Sequence, residues 1–513
     1  MAGLGLLAVV GVLAASAIAQ DPTRTLTTPV IDHIPVPRPT AANCTESHGA
    51  KEISPPAREA VGPRPPVPTG LITTQIYSAG KTPFQKSVFG RAGRFTTGVD
   101  LLIQWCNLEP RKDVFDWKPL DHVFKQAAPR KGDPKGKFID LTIIPGFETP
   151  SWALRGVPTV TSSFAYGGVV TARALPQPWN TRYLSRWLAF MAAIAGRYGD
   201  NPEFRMVEAA GPTSVSTEMT LPNWTSGDTG LPATLNGVAL NGSDVAMWTA
   251  WHYSEPKLIR AWSRVFAAYH KIFLNQYIGL ALFPGLTFGA DGTTDSGLGT
   301  QTQLDAVAAG KHSDPGRFIV QEDGLGGGGS GSGSSFNIVR ANCGRAVTGY
   351  QTPVPGNVVD LGNAVQQAID SNVEFMEVYQ TDVVNNRTTL SPFAPRLPAR
   401  AGCKPLTLTA TPNADGTSTL TATTDLNLTS TEAINVFQVT PRGDYAPTTC
   451  TASGQTATCS VPVGRERVKF EADVGVPGTL PYSSQAFVSA TTTAETTPTT
   501  LPGRPPCSGT KCF

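Results

Sequence analysis

Between residues 70 and 400 the hydrophobic positions alternate between two textures. Short runs rich in β-branched and aromatic residues are followed by longer stretches with apolar residues at three- and four-residue steps. Eight runs read as strands: Leu71 to Tyr77, Val99 to Trp105, Phe138 to Ile144, Arg205 to Ala210, Ile278 to Phe283, Phe318 to Gln321, Ala346 to Gln351 and Val373 to Tyr379. The clearest helical stripes are Tyr183-Leu184-Trp187-Leu188-Met191-Ala192-Ile194-Ala195 and Leu258-Ile259-Trp262-Val265-Phe266-Tyr269. Strands alternating with helices specify a parallel sheet, and eight such units close into a (β/α)₈ barrel, which is active at the carboxyl ends of its strands.

The texture changes after Cys403. Leu406-x-Leu408-x-Ala410, Ser418-x-Leu420-x-Ala422, Phe437-x-Val439 and Val468-x-Phe470 alternate at period two, with Gly, Asn and Asp between them. This predicts a small Ig-like β-sandwich over 403–488. The sandwich reads as a carbohydrate-binding module or as a brace against the barrel; its strands carry few aromatics, which favours the brace, with cell-wall or matrix contact through it as a further use. Gly324 to Ser335 (GLGGGGSGSGSS) reads as a solvated insertion or as a mobile lid over the barrel mouth; it lacks the Lys-Ser/Thr ending of a phosphate loop. Residues 20–66 form a Pro/Thr-rich leader and 489–513 a Thr/Pro-rich tail, leaving 67–402 for the barrel.

The first residues, MAGLGLLAVVGVLAASAIAQ, read as a signal peptide over 1–19 with the small-x-small site Ala17-Ile18-Ala19. No later stretch is long and apolar enough to span a membrane. Export agrees with eight cysteines, an even number, of which Cys450/Cys459 and Cys507/Cys512 are spaced to clamp short loops. By arithmetic alone Cys343/Cys403 and Cys44/Cys106 remain. Five N-x-S/T sequons, at Asn43, Asn223, Asn241, Asn386 and Asn427, are compatible with a glycosylated secreted protein. A net charge of +2 leaves no electrostatic footprint for nucleic acid. The six histidines are scattered, so no zinc site is read, and no Gly-x-Ser-x-Gly elbow or Rossmann fingerprint occurs. No cofactor is expected.

Two stretches carry a family resemblance. The first contains Trp105, Leu108-Glu109-Pro110, Phe115-Asp116-Trp117, Leu120-Asp121 and Pro150-Ser151-Trp152 in that order; the second is Arg197-Tyr198-Gly199-Asp200-x-Pro202 ahead of the fourth strand. Together they resemble the clan of barrel glycoside hydrolases that includes the β-galactosidases. Gly211-Pro212 ahead of Glu218-Met219 is similar also to the β-amylase barrel. Both comparisons imply that Glu218 is the general acid, although Thr217 stands where the clan places Asn.

Glycosidic cleavage needs two carboxylates flanking the bond, one to protonate the leaving oxygen and one to attack carbon or activate water. In the clan the second ends strand seven, but here that strand ends Tyr350-Gln351. The candidates for the partner are Glu377, set in an apolar strand where a carboxylate is costly, and Glu322 with Asp323 after the sixth strand. Glu148 and Gln351 are expected to hydrogen-bond sugar hydroxyls. Trp105, Trp152, Trp224, Trp248 and Trp251 are candidate stacking platforms, and the Trp248/Trp251 pair near Glu218 is the best subsite. The expected activity is hydrolysis of an extracellular oligo- or polysaccharide. The alternative is a barrel that has lost one carboxylate and binds glycan or a cell surface.

Overall fold

The computed structural model describes residues 65–492, apart from short segments, the longest of them 284–295. Eight parallel strands form a closed barrel: β1 (Gly70–Ile76), β2 (Gly98–Gln104), β3 (Phe138–Ile144), β4 (Phe204–Glu208), β5 (Tyr277–Leu282), β6 (Phe318–Glu322), β7 (Val347–Gln351) and β8 (Phe375–Tyr379). Neighbours in the ring are neighbours in sequence, and β1 closes on β8 through Gly70 opposite Phe375 and Ile72 opposite Glu377. Each expected strand is present within two residues. Trp105 is the exception at an end, opening the short helix Trp105–Leu108 instead of finishing β2.

The helix Thr181–Tyr198 shows why the intervening segments coil. Asn180 caps it, its side-chain oxygen accepting from the amides of Arg182 and Tyr183 at 3.0 and 3.1 Å. Tyr183, Leu184, Trp187, Met191, Ile194 and Tyr198 then recur at helical spacing and are all buried against the barrel. Burial of each large side chain stabilises the fold by about 1.5–3 kcal/mol. Helix Glu255–Ile272 uses Leu258, Trp262, Val265, Phe266 and Tyr269 in the same way.

Inside the barrel the side chains fall into layers. An apolar floor consists of Ile72, Phe138, Met206, Tyr277, Ile319, Val347 and Phe375. Gly349 belongs there for want of room, since a Cβ on it would lie 2.2 Å from the Phe375 ring. Near the carboxyl ends a second apolar group, Ile76, Leu102, Ile144 and Tyr379, spans β1, β2, β3 and β8. Period-two alternation places Thr74, Asp100, Asp140 and Glu377 between these layers. The barrel interior is therefore polar at mid-height.

An antiparallel hairpin, Thr159–Tyr166 with Val169–Pro176, follows β3, and helix Ser334–Ala341 begins inside the glycine-rich stretch. Residues 328–333 of that stretch lie outside the described residues. The C-terminal strands are β9 (Leu406–Pro412), β10 (Thr417–Thr424), β11 (Ala433–Val439), β12 (Tyr445–Pro447), β13 (Thr451–Ser453), β14 (Thr456–Pro462), β15 (Val468–Gly475) and β16 (Phe487–Thr492). They form two antiparallel four-stranded sheets, in the orders β9-β10-β14-β13 and β12-β11-β15-β16. Leu420, Ala422, Ile434, Val436, Ala457, Val461 and Phe470 make their common core. The Cys450–Cys459 disulfide is present. Cys106 and Cys343 are also disulfide-bonded, while Cys44, Cys403, Cys507 and Cys512 lie outside the described residues.

Candidate active site

The loop leaving β4 is held in place by backbone contacts. The Tyr183 hydroxyl donates to the Gly211 carbonyl at 2.9 Å and accepts the Gly146 amide at 3.2 Å, tying the β3 and β4 loops together. Gly146 has φ +62°, and a Cβ there would lie 2.1 Å from the Ser214 carbonyl oxygen, so only glycine allows the two loops to approach. Trp187 Nε1 donates to the Ala210 carbonyl at 2.6 Å. The loop closes on itself through Ser214 N to Thr220 O at 3.1 Å, and joins β5 through Met219 N to Ala281 O at 3.2 Å.

Glu218 rides on this loop, half-buried, beside the end of β5. Its Oε2 accepts from the Thr220 hydroxyl at 3.0 Å. Burial pushes its carboxyl up to about 7, against the pull of the Thr220 and Ser216 hydroxyls. Glu208, at the end of β4, is buried and accepts from the Thr217 hydroxyl. Burial, and then the negative charge of Glu377, raise it to about 8. Thr217, the residue that departs from the clan's Asn, thus bridges the loop to the strand.

On the far side of β5, the end of β6 presents three polar side chains in two directions. Gln321 and Asp323 share one side of the chain: Gln321 Nε2 donates to Asp323 Oδ1 at 2.9 Å and to Glu377 Oε2 at 2.8 Å. Burial holds Asp323 well above the usual carboxylate range, and the charges of Glu208, Glu218 and Glu377 raise it further. Glu322 points the other way. Its Oε2 accepts the Gly324 amide at 2.9 Å. Burial raises Glu322 to about 8, Glu218 adds to this, and Arg340 of the helix Ser334–Ala341 draws it down.

Glu377 is fully buried at mid-height, below Tyr379. Its Oε2 accepts a second amide hydrogen bond, from Gln351 Nε2 at 2.7 Å, while the Tyr379 hydroxyl donates to Gln351 Oε1 at 3.2 Å. Gln351, at the end of β7, therefore serves Glu377. Glu148 is buried and ion-paired with Arg173 of the 159–176 hairpin.

The tryptophans divide. Trp105 is wholly buried, edge-on to Trp152 at 5.8 Å, and donates from Nε1 to Glu109 Oε2 at 2.9 Å. Trp152 donates to the Glu109 carbonyl at 3.0 Å and stays half-exposed. Trp248 and Trp251 pack at 5.6 Å but are both buried, and Trp248 Nε1 donates to the Pro222 carbonyl at 2.6 Å. That pair braces the end of the Glu218 loop and offers no open ring face. Trp224 lies outside the described residues.

Three acids were not singled out by the sequence reading: Asp100 on β2, Asp140 on β3 and Glu208. Asp100, Asp140 and Glu377 offer carboxylate oxygens within 4.8 Å of one another, all fully buried. The signal for the first two was present, since each interrupts an otherwise apolar strand, GVDLLIQ and FIDLTII.

These features define a (β/α)₈ barrel with carboxylates gathered at the carboxyl ends of β4 and β6. No family model and no curated protein matches the chain. Among solved structures it is similar to a substituted GH5_18 glycoside hydrolase of Bifidobacterium longum subsp. longum in complex with Manβ1-4GlcNAc, at 11% identity and a TM-score of 0.31. That match covers 57% of this chain and 62% of the other, so the chain spans about three fifths of that neighbour's length. A GH5_18 structure from the same organism matches at 11% identity and TM-score 0.33, covering 61% and 70% of the two chains. An engineered protein matches at 10% identity and TM-score 0.33, covering 82% and 92%.

Proposed function

We propose that this protein is an exported glycoside hydrolase that cleaves an extracellular oligo- or polysaccharide with Glu218 as general acid and Asp323 as its partner carboxylate. The observation that carries this reading is the meeting of the Glu218 and Asp323 fields at the carboxyl ends of the strands, where barrel enzymes place their chemistry. Asp323 takes precedence over the other two candidates because of direction and height. Glu322 leaves the opposite side of the chain from Gln321 and Asp323 and accepts the Gly324 amide, though Glu218 also acts on it, and Glu377 lies one inward-facing position lower on its strand than Asp323 on β6.

The chemistry follows from the environments. Glu218, raised to about 7, keeps its proton in mildly acidic water and delivers it to the leaving glycosidic oxygen. The Gln321 amide donates to Asp323 and draws its carboxyl down against burial and the neighbouring acids; once ionised, Asp323 attacks the anomeric carbon or takes a proton from water. Repulsion between the two keeps one proton on the pair until Glu218 titrates. Trp152, half-exposed beside Glu109, is the stacking platform, and the Glu148–Arg173 pair orients hydroxyls from the hairpin. The disulfide-bonded cysteines support export to an oxidising compartment.

A second reading, glycan binding without turnover, is favoured by Gln351 at the end of β7, where a nucleophile would stand. One experiment separates the two. A panel of α- and β-linked oligosaccharides is incubated with the full chain, Glu218→Gln and Asp323→Asn, and reducing ends are measured. Turnover lost in both variants supports the hydrolase. Binding by calorimetry with no turnover in any form supports the degenerate barrel. Turnover that survives both substitutions refutes the pair.

A further inference from the structure

We propose that Asp100, Asp140 and Glu377 form a buried binding site for a hard divalent cation at mid-height in the barrel. Asp100 and Asp140 are paired in register on β2 and β3, and Glu377 reaches them from β8. Their carboxylate oxygens lie within 4.8 Å of one another. They sit between the apolar floor and the Ile76, Leu102, Ile144 and Tyr379 group, so water is shut out from both sides.

The hydrogen-bond inventory points to a ligand. Asp100 Oδ1 accepts from Thr142 at 2.8 Å and Glu377 Oε2 from two glutamines. Asp140 and Glu377 are close enough to share a proton and the Thr74 hydroxyl acts on Asp100, but no other side chain donates to Asp100 Oδ2, to either oxygen of Asp140 or to Glu377 Oε1. A second, independent observation comes from outside the trio. Glu208, 1% exposed, leaves Oε1 unpartnered while its charge acts on Asp100 and Asp140. Gln321, fully buried against Glu377, leaves its carbonyl Oε1 unpartnered as well.

Buried carboxylates left without partners are strongly unfavourable, so they must bind protons or a cation. A proton shared by Asp140 and Glu377 satisfies two oxygens, which leaves Asp100 Oδ2, the second Asp140 oxygen and Glu208 Oε1 to be met. An all-oxygen donor set selects a hard cation. Around Ca²⁺, bonded at about 2.3–2.6 Å, opposite ligands stand about 5 Å apart, whereas Mg²⁺ draws them to about 4 Å. Oxygens within 4.8 Å of one another can close on either ion. Such an ion ties β8 to β2 and β3, whether or not the mouth above hydrolyses sugar.

Elemental analysis of the full chain, purified without chelator, tests this directly. About one divalent ion per chain is expected, with Ca²⁺, Mg²⁺ or Mn²⁺ restoring a melting temperature lowered by prolonged chelation, by about 5 °C or more. Asp140→Asn and Asp100→Asn should each bind at least ~10-fold more weakly and lose that response. A wild-type chain that holds no metal and whose melting temperature ignores Ca²⁺, Mg²⁺ and Mn²⁺ overturns the site, even if the variants fail to fold. Metal retained in full by both variants overturns it equally, by locating the ion elsewhere.

Discussion

Replacing Glu218 by Gln should make the protein more stable and less active, and the stability gain should depend on pH. Burial carries the Glu218 carboxyl from its ordinary 4.5 to about 7, which corresponds to on the order of 3 kcal/mol against ionisation in the folded state. The sign follows from proton counting. Between pH 4.5 and 7 the folded chain holds a proton that the unfolded chain has released, so stability is full below about 4.5 and falls as pH rises through 7. Glutamine has no such cost and keeps an acceptor for the Thr220 hydroxyl. The variant should therefore match the wild type at pH 4.5 and exceed it at pH 8 by about 2–3 kcal/mol, a rise of several degrees in melting temperature for a chain of this size. The same substitution should lower kcat on substrates with poor leaving groups by at least ~100-fold, as loss of a general acid does. Melting curves at both pH values, with turnover on activated and unactivated glycosides, measure the two halves. An equal difference at pH 4.5 and 8 would refute the burial argument, and unchanged turnover would remove Glu218 from the chemistry.

Other outcomes follow from single contacts. Wild-type kcat should fall as pH rises through about 7, where Glu218 loses its proton, and the pH–rate profile reads this limb directly. Tyr183→Phe removes the donor to Gly211 and the acceptor for Gly146, so it should cost about 1–3 kcal/mol in denaturant melts and lower kcat by loosening the Glu218 loop. Trp105→Ala should cost about 3–5 kcal/mol as a cavity in the core, whereas Trp152→Ala should chiefly raise KM; the reverse pattern would exchange their roles. Replacing Cys450 and Cys459 by Ser opens a short loop and should destabilise the C-terminal sheets by about 2–3 kcal/mol, with kcat unchanged.

The barrel was legible because its strands are short apolar runs bounded by Gly, Pro and polar turns, and burial on both faces leaves such runs no other place. The residue-level errors fall at strand ends. Trp105 continues an apolar run in sequence, but its ring packs among Trp152, Trp187 and Phe190, and that packing turns it into a helix. The hairpin after β3 escaped notice although TVTSSFAY and VVTARALP alternate around Gly167-Gly168. Helix Ser296–Ser313 carries almost no apolar stripe, so periodicity had nothing to report there. For the site, the rule that singled out Glu377, a carboxylate inside an apolar strand, applies with equal force to Asp100 and Asp140. Metal ligands are marked in sequence by Cys and His spacing, to which neither residue belongs. A site assembled from one oxygen on each of three strands has no spacing in sequence.

The barrel's own geometry explains why one residue of offset matters so much at β6. Side chains alternate strictly, so Ile319 belongs to the floor, Gln321 to the polar middle, and Asp323 to the next inward position up. On β8 the same count gives Phe375, Glu377 and Tyr379. Asp323 therefore stands level with Tyr379, at the mouth, and Glu377 level with Gln321, in the enclosed layer. Two acids that are neighbours through Gln321 thus differ in access: Asp323 can meet a substrate, while Glu377 meets only other protein oxygens and what they bind. Asp323→Asn should accordingly reduce turnover while leaving metal content intact, and Asp140→Asn should remove the metal. If Asp323→Asn instead releases the ion, the two layers are one site, and the separation of mouth from middle fails.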